Sequence, residues 1–160
     1  MTKDLHVTFI CSGNICRSPM AEKVFRWHLD QEGLGDRVRV TSAGTGPWHS
    51  GEPADERTVD VLRRHGYPTD HVAHQVNSDH LGADLILAAG GDHVAALTRV
   101  LGVEDASRQV RLLRTFDPSA PEDAEVPDPY YDDEKGFDVV LDMIEATVPA
   151  LLAWTRERLA

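Results

Sequence analysis

The sequence predicts an α/β fold built on a parallel sheet, and three observations point to it. Short apolar runs alternate with longer stretches of helical periodicity, the pattern of strands joined by crossover helices. Several of the helical stretches end on glycine, as at Gly33, Gly66 and Gly102. The first apolar run gives directly onto a loop of small and polar residues that opens a helix.

Four strands are expected, over residues 5–10, 38–41, 84–89 and 110–113. A helix over residues 19–33 places Met20, Val24, Trp27 and Leu29 on or near one face. Helices are also expected over 55–65 and 92–101. Residues 42–47 (Ser-Ala-Gly-Thr-Gly-Pro) read as a turn, and residues 115–129, rich in proline and acid, as a surface loop. The last helix is expected over 137–159, with Val140, Ile144, Val148, Leu151 and Leu152 as its apolar stripe and a kink at Pro149.

A length of 160 residues suits a single domain, 1–160, able to bury one core without disulfides or metals. Twenty-seven acidic against 16 basic residues give a net charge of −11, which repels nucleic acid and anionic membrane surfaces. The amino terminus lacks the charged, apolar and small-residue succession of a secretion signal, and no apolar run is long enough to span a bilayer. Cys11 and Cys16 lie five positions apart, too close to staple a fold, so a reducing, cytoplasmic setting is expected.

The chemistry is expected in Cys11-Ser12-Gly13-Asn14-Ile15-Cys16-Arg17-Ser18-Pro19. A loop between strand end and helix start can turn backbone N–H groups inward at the positive end of the helix dipole, which makes an anion site. Gly13 and Asn14 tolerate the left-handed backbone of such a cradle, and Ser18-Pro19 reads as N-cap and first helical residue. A Cys11 thiolate at its mouth would face the dipole, the amides and Arg17, and could attack phosphorus in line. Arg17 can hold two phosphate oxygens with its planar fork. Ser18 could donate a hydrogen bond to the sulfur.

Pro127-Asp128-Pro129-Tyr130-Tyr131 supplies a second component. Prolines on both sides restrict the backbone around Asp128. One carboxyl group so held can protonate a leaving group and then activate water.

With both motifs present, the chain resembles the low-molecular-weight protein tyrosine phosphatases. The likeness runs through the Cys11–Pro19 loop, Ser42-Ala43-Gly44-Thr45 and Asp128-Pro129-Tyr130-Tyr131. It implies a four-stranded parallel sheet flanked by helices on both faces, with the phosphate-binding loop after the first strand. It implies hydrolysis of phosphotyrosine through a cysteinyl-phosphate, with Cys11 as nucleophile, Arg17 on the phosphate and Asp128 as acid and base. Ser12, Gly13, Asn14, Ile15, Cys16 and Ser18 would complete the loop, with Asn14, Ser18, Ser42 and His71 forming its supporting hydrogen-bond network. Trp48, Tyr130 and Tyr131 would wall a crevice for the substrate ring. The resemblance also implies a reversible disulfide between Cys16 and Cys11. No metal or organic cofactor is implied; the partner is a tyrosine-phosphorylated protein or peptide, and the chain would be a monomer or weak dimer.

One departure stands out. Family members usually carry an aspartate just after the third strand, where this chain reads Ala89-Gly90-Gly91-Asp92. It keeps open a phosphotyrosine-binding module with impaired turnover, against which the intact Cys11, Arg17 and Asp128 weigh. Thioredoxin-coupled arsenate reductases use a similar loop but need further cysteines. Phosphoarginine phosphatases carry threonine where this chain has Ile15. Of the eight histidines only His71 receives a role; the rest show no zinc-ligand spacing with cysteines.

Overall fold

The computed structural model describes residues 3–160; Met1 and Thr2, where the single-domain span and the reading of the amino terminus begin, lie outside the described residues. Four strands form one sheet: β1 (Leu5–Cys11), β2 (Val38–Gly44), β3 (Leu85–Ala88) and β4 (Val110–Leu112). The order is β2-β1-β3-β4 and every pairing is parallel. β1 is central, pairing Leu5 through Cys11 with Val38 through Gly44, and Val7 through Ile10 with Leu85 through Ala88.

Side chains alternate across a strand, so β1 feeds two cores. Leu5, Val7, Phe9 and Cys11 pack with Leu85 and Leu87 beneath α1 (Arg17–Gln31), which contributes Met20, Val24, Phe25 and Leu29. Val61 and Leu62 of α2 (Glu56–Arg64) join this core, as do α6 (Glu134–Glu145) and α7 (Val148–Leu159). On the other face Ile10, Ala43, Ile86 and Ala88 pack with Leu97 of α4 (Gly91–Leu101). Helices therefore flank both faces. Among the described residues, no helix is long and apolar enough to cross a membrane.

The structure corrects several local expectations. Ser42, Ala43 and Gly44 continue β2 instead of turning, because β1 extends to Cys11 and pairs with them. Two short helices were not foreseen, α3 (Ser78–Leu81) and α5 (Val103–Gln109), the latter carrying Ala106 as its buried residue. The terminal helix is two helices. Thr147, buried, turns its hydroxyl onto the Ile144 carbonyl at 2.6 Å, and Pro149 sits in the first turn of α7. A proline there forfeits no hydrogen bond, so it starts a helix where a kink was expected. The stretch before Asp128 is not wholly surface: a 3₁₀ turn occupies Leu113–Phe116, and Phe116 and Val126 are buried.

Candidate active site

The loop after β1 is shaped by where its carbonyls go. Those of Cys11 and Ser12 accept from the amides of Thr45 (2.8 Å) and Gly46 (3.1 Å), just beyond β2. The Asn14 carbonyl accepts from His71 Nε2 at 2.7 Å, Ile15's from the Asp55 amide at 2.9 Å, and Cys16's from the Met20 amide at 3.2 Å. In a trans peptide each carbonyl and the following N–H point in opposite directions. The N–H groups of Ser12, Gly13, Ile15, Cys16 and Arg17 are thereby turned away from those partners. The same five residues, together with Cys11, line one cavity of about 230 Å³, to which Asn14 does not contribute. A loop so arranged at the start of α1 can cradle an anion with its main chain.

Asn14 is the hub. It is fully buried, with φ +59°, the left-handed conformation expected of it. Its Nδ2 donates to Ser18 Oγ (2.8 Å) and Ser42 Oγ (2.9 Å), and its Oδ1 accepts from the His74 amide (2.9 Å). Ser18 Oγ, already accepting, lies 2.9 Å from Cys11 Sγ and has its own proton to give to it. The Ser42 hydroxyl in turn donates to Glu22 Oε1 at 2.6 Å. Glu22 is buried and held by Lys23 (3.2 Å) and Arg26 (3.0 Å), which offset its desolvation. A polar chain thus runs Glu22–Ser42–Asn14–Ser18–Cys11.

Two readings of the loop change. Ser18 is not the N-cap: α1 begins at Arg17, with Cys16 in the cap position and no side chain capping it, because the Ser18 hydroxyl is engaged with Asn14 and Cys11. Gly13 does not take a positive φ; a Cβ there would meet His49 Cδ2 at 2.8 Å, so glycine provides room for a ring. Gly44 does the same for the loop's backbone, since its Cβ would lie 2.5 Å from the Ser12 carbonyl oxygen.

Burial holds His71 below the usual histidine range, so near neutral pH its Nε2 carries the proton donated to Asn14. Cys16 is buried, and this, with Asp55 next in effect, pushes its thiol up to about 12. It stands as a neutral thiol, and both cysteines are free.

Arg17 is 8% exposed and points along the cavity, its Nη1 donating to the Val126 carbonyl at 3.1 Å. Asp128 Oδ2 is 3.7 Å from Arg17 Nη2, while Oδ1 accepts from the Tyr130 amide at 3.1 Å, an Asx turn that orients the carboxyl group. Trp48, Tyr130 and Tyr131 all reach the cavity. Trp48 is 69% and Tyr131 91% exposed, which makes them walls of a crevice and not core residues. The Trp48 ring lies against Gly46, where a Cβ would be 2.0 Å from Cζ3.

Besides Glu22, three participants were not foreseen. His49 lines the cavity between Gly13 and Tyr130 and is fixed by Glu52 at 2.5 Å; its place beside Trp48 was the available signal. Arg57 braces the wall, donating to the carbonyls of Tyr130 and Asp132 at 2.9 Å each while paired with Asp55. His93 reaches from α4 to Ser12 Oγ at 2.9 Å. Its Nδ1 accepts from the Gly90 amide (3.0 Å), which leaves Nε2–H to donate to Ser12, and burial keeps the ring below the usual histidine range. No local motif marked Arg57 or His93. Among the described residues, no three His, Cys, Asp or Glu side chains converge as metal ligands would.

Residues 6–160 match the family model described as low molecular weight phosphotyrosine protein phosphatase. Low molecular weight protein-tyrosine phosphatase A of Mycobacterium tuberculosis is 58% identical over 161 residues, spanning 100% of this chain and 97% of that one. The low molecular weight protein-tyrosine-phosphatase of Streptomyces coelicolor is 49% identical over 95% of this chain and 94% of its own. The crystal structure of YfkJ from Bacillus subtilis superposes with a TM-score of 0.89 at 35% identity, covering 98% of this chain and 97% of that one. With the match running through nearly every residue, the cysteine loop included, the chain belongs to the low molecular weight protein tyrosine phosphatase family.

Proposed function

We propose that this phosphatase hydrolyses phosphotyrosine in proteins and peptides through a cysteinyl-phosphate on Cys11, with Asp128 as general acid and then base. The observation that carries the reading is that Cys11 and five loop residues, each following a carbonyl bound outside the loop or within α1, line one cavity, which leaves their amides free for a phosphate. The phosphate's equatorial oxygens take the amides and the Arg17 fork, donors that can stabilise the charge of a trigonal-bipyramidal transition state. The Cys11 thiolate attacks phosphorus in line, and the bond from phosphorus to the phenolic oxygen breaks. Asp128 gives its proton to the departing phenolate. The resulting carboxylate takes a proton from water, whose oxygen attacks phosphorus as the S–P bond breaks. Inorganic phosphate leaves, and the Ser18 hydroxyl with the loop amides receives the restored thiolate.

Ser12 and Ile15 contribute in different ways. Ser12 Oγ accepts from His93 and so keeps its own proton for the phosphate. Ile15 presents an apolar edge to an aryl ring in a cavity walled by Trp48, Tyr130 and Tyr131. A phosphoserine side chain is expected to be too short to carry its phosphate past these aromatic walls to Cys11. The test is hydrolysis of phosphotyrosine and phosphoarginine peptides in EDTA and reductant, by wild type, Cys11→Ser and Asp128→Ala. Turnover of phosphotyrosine abolished by the first change and strongly reduced by the second is expected. Preference for phosphoarginine, or turnover surviving Cys11→Ser, would overturn the reading.

A further inference from the structure

At the start of α4, His93 Nδ1 accepts from the Gly90 amide, but the cap position itself offers no side-chain acceptor to the amides of the first turn. Gly90 stands in the cap position with extended backbone (φ −149°), a conformation open to any residue, so its φ does not require glycine. The missing acceptor comes from elsewhere. Glu125 Oε2 accepts from the Gly91 amide at 2.5 Å, and a Cβ on Gly90 would lie 3.1 Å from that same oxygen. A carboxylate three residues before Asp128 therefore occupies the space a side chain at position 90 would enter.

The main chain around Glu125 is fastened on both sides. Its carbonyl accepts from Arg114 Nη1 at 3.1 Å. The next amide, Val126's, donates to the Ala89 carbonyl at 2.8 Å, and the Val126 carbonyl accepts from Arg17. Ala89 and Gly91 straddle Gly90, so two bonds clamp residues 125–126 to the β3–α4 junction. From the same junction His93 reaches Ser12 in the phosphate loop. Beyond the clamp, a cavity of about 280 Å³ lies between the start of α4 and the Asp128 segment, so the Glu125 carboxylate spans a place that side-chain packing leaves open.

We propose that Glu125 is a positioning residue for Asp128: it caps α4 from the acid loop and so fixes the distance between the carboxyl group and the phosphate cradle. The proposal rests on Asp128 serving as the general acid. Without the carboxylate, the segment entering Asp128 keeps the Val126 bonds but loses the lateral anchor, and proton delivery to the leaving oxygen suffers.

The test compares kcat/KM for phenyl phosphate, whose phenolate needs a proton to leave, with p-nitrophenyl phosphate, whose phenolate leaves readily without one. Asp128→Ala is the reference and is expected to lose ~100-fold or more on phenyl phosphate and much less on p-nitrophenyl phosphate. Glu125→Ala should show the same selectivity on a smaller scale, roughly 10-fold on phenyl phosphate and at most about 2-fold on p-nitrophenyl phosphate. Glu125→Gln, which keeps an acceptor oxygen for Gly91, should recover most of the loss. Gly90→Asp added to Glu125→Ala should restore thermal stability by capping α4 from within, yet not restore the phenyl phosphate rate. Equal losses on both substrates, no loss, or recovery of the rate by Gly90→Asp would overturn the role of Glu125. If Asp128→Ala itself affects both substrates equally, the acid assignment falls and takes this proposal with it. If only Glu125→Ala lacks the selectivity, the acid assignment stands and Glu125 alone is excluded.

Discussion

Replacing Asn14 by alanine should destabilise the whole protein as well as the site. The side chain is fully buried and makes three hydrogen bonds, to Ser18, Ser42 and the His74 amide. At about 1 kcal/mol each their loss comes to about 3 kcal/mol, with partners left inside the protein. An alanine held at the φ of +59° adds about 1 kcal/mol that asparagine largely avoids. The expected loss is therefore about 4 kcal/mol, a large part of the ~5–15 kcal/mol typical of a domain. Urea unfolding at constant m-value measures it. Asn14→Gly separates the two parts: it loses the same bonds but accepts the backbone, so it should be the more stable variant by about 1 kcal/mol. A loss below about 1 kcal/mol for alanine would refute the hub reading. A glycine variant no better than alanine would refute the strain argument.

Other outcomes follow from the same geometry. Burial lowers the proton affinity of His6, His71, His80 and His93, so each is favoured neutral in the folded state. Below pH ~6.5 the unfolded chain takes up protons on these rings before the folded one does, so Tm should fall as pH drops through that range. His93→Gln should flatten that dependence; an unchanged slope would remove His93 from the account. Arg57→Ala should raise KM for aryl phosphates roughly 10-fold, equivalent to about 1.4 kcal/mol, because the Tyr130–Asp132 turn loses its brace; steady-state kinetics would show it. Vanadate should compete with substrate, and Arg17→Lys should weaken that competition strongly, since an ammonium cannot copy the planar fork; inhibition constants decide.

Much of the site was legible because its central part is contiguous. Strand, Cys11-to-Pro19 loop and helix follow one another in sequence, and the physics of a helix start applies without knowledge of the tertiary fold. Even so, Ser18 was legible only in part: the sequence marks it equally as a cap and as a donor to sulfur, and only the position of Asn14 decides between them. Gly13 was misread for the same reason, since His49 crowds it from a distant loop. Glu22, Arg57 and His93 act through long-range contacts and carry no local motif. In the fold, the strands were found by their apolar runs, while α5 escaped because its seven residues bury little. At the break between α6 and α7 the Ile144 carbonyl accepts from both the amide (3.0 Å) and the hydroxyl (2.6 Å) of Thr147, bonds that no local motif announces.

The most direct test of the central claim is acid-quenched mass spectrometry of the enzyme during turnover of a phosphotyrosine peptide in EDTA and reductant. A phosphoryl group on Cys11, absent in Cys11→Ser, is expected. Turnover that proceeds with no phosphate on Cys11, or with phosphate on another residue, would contradict it.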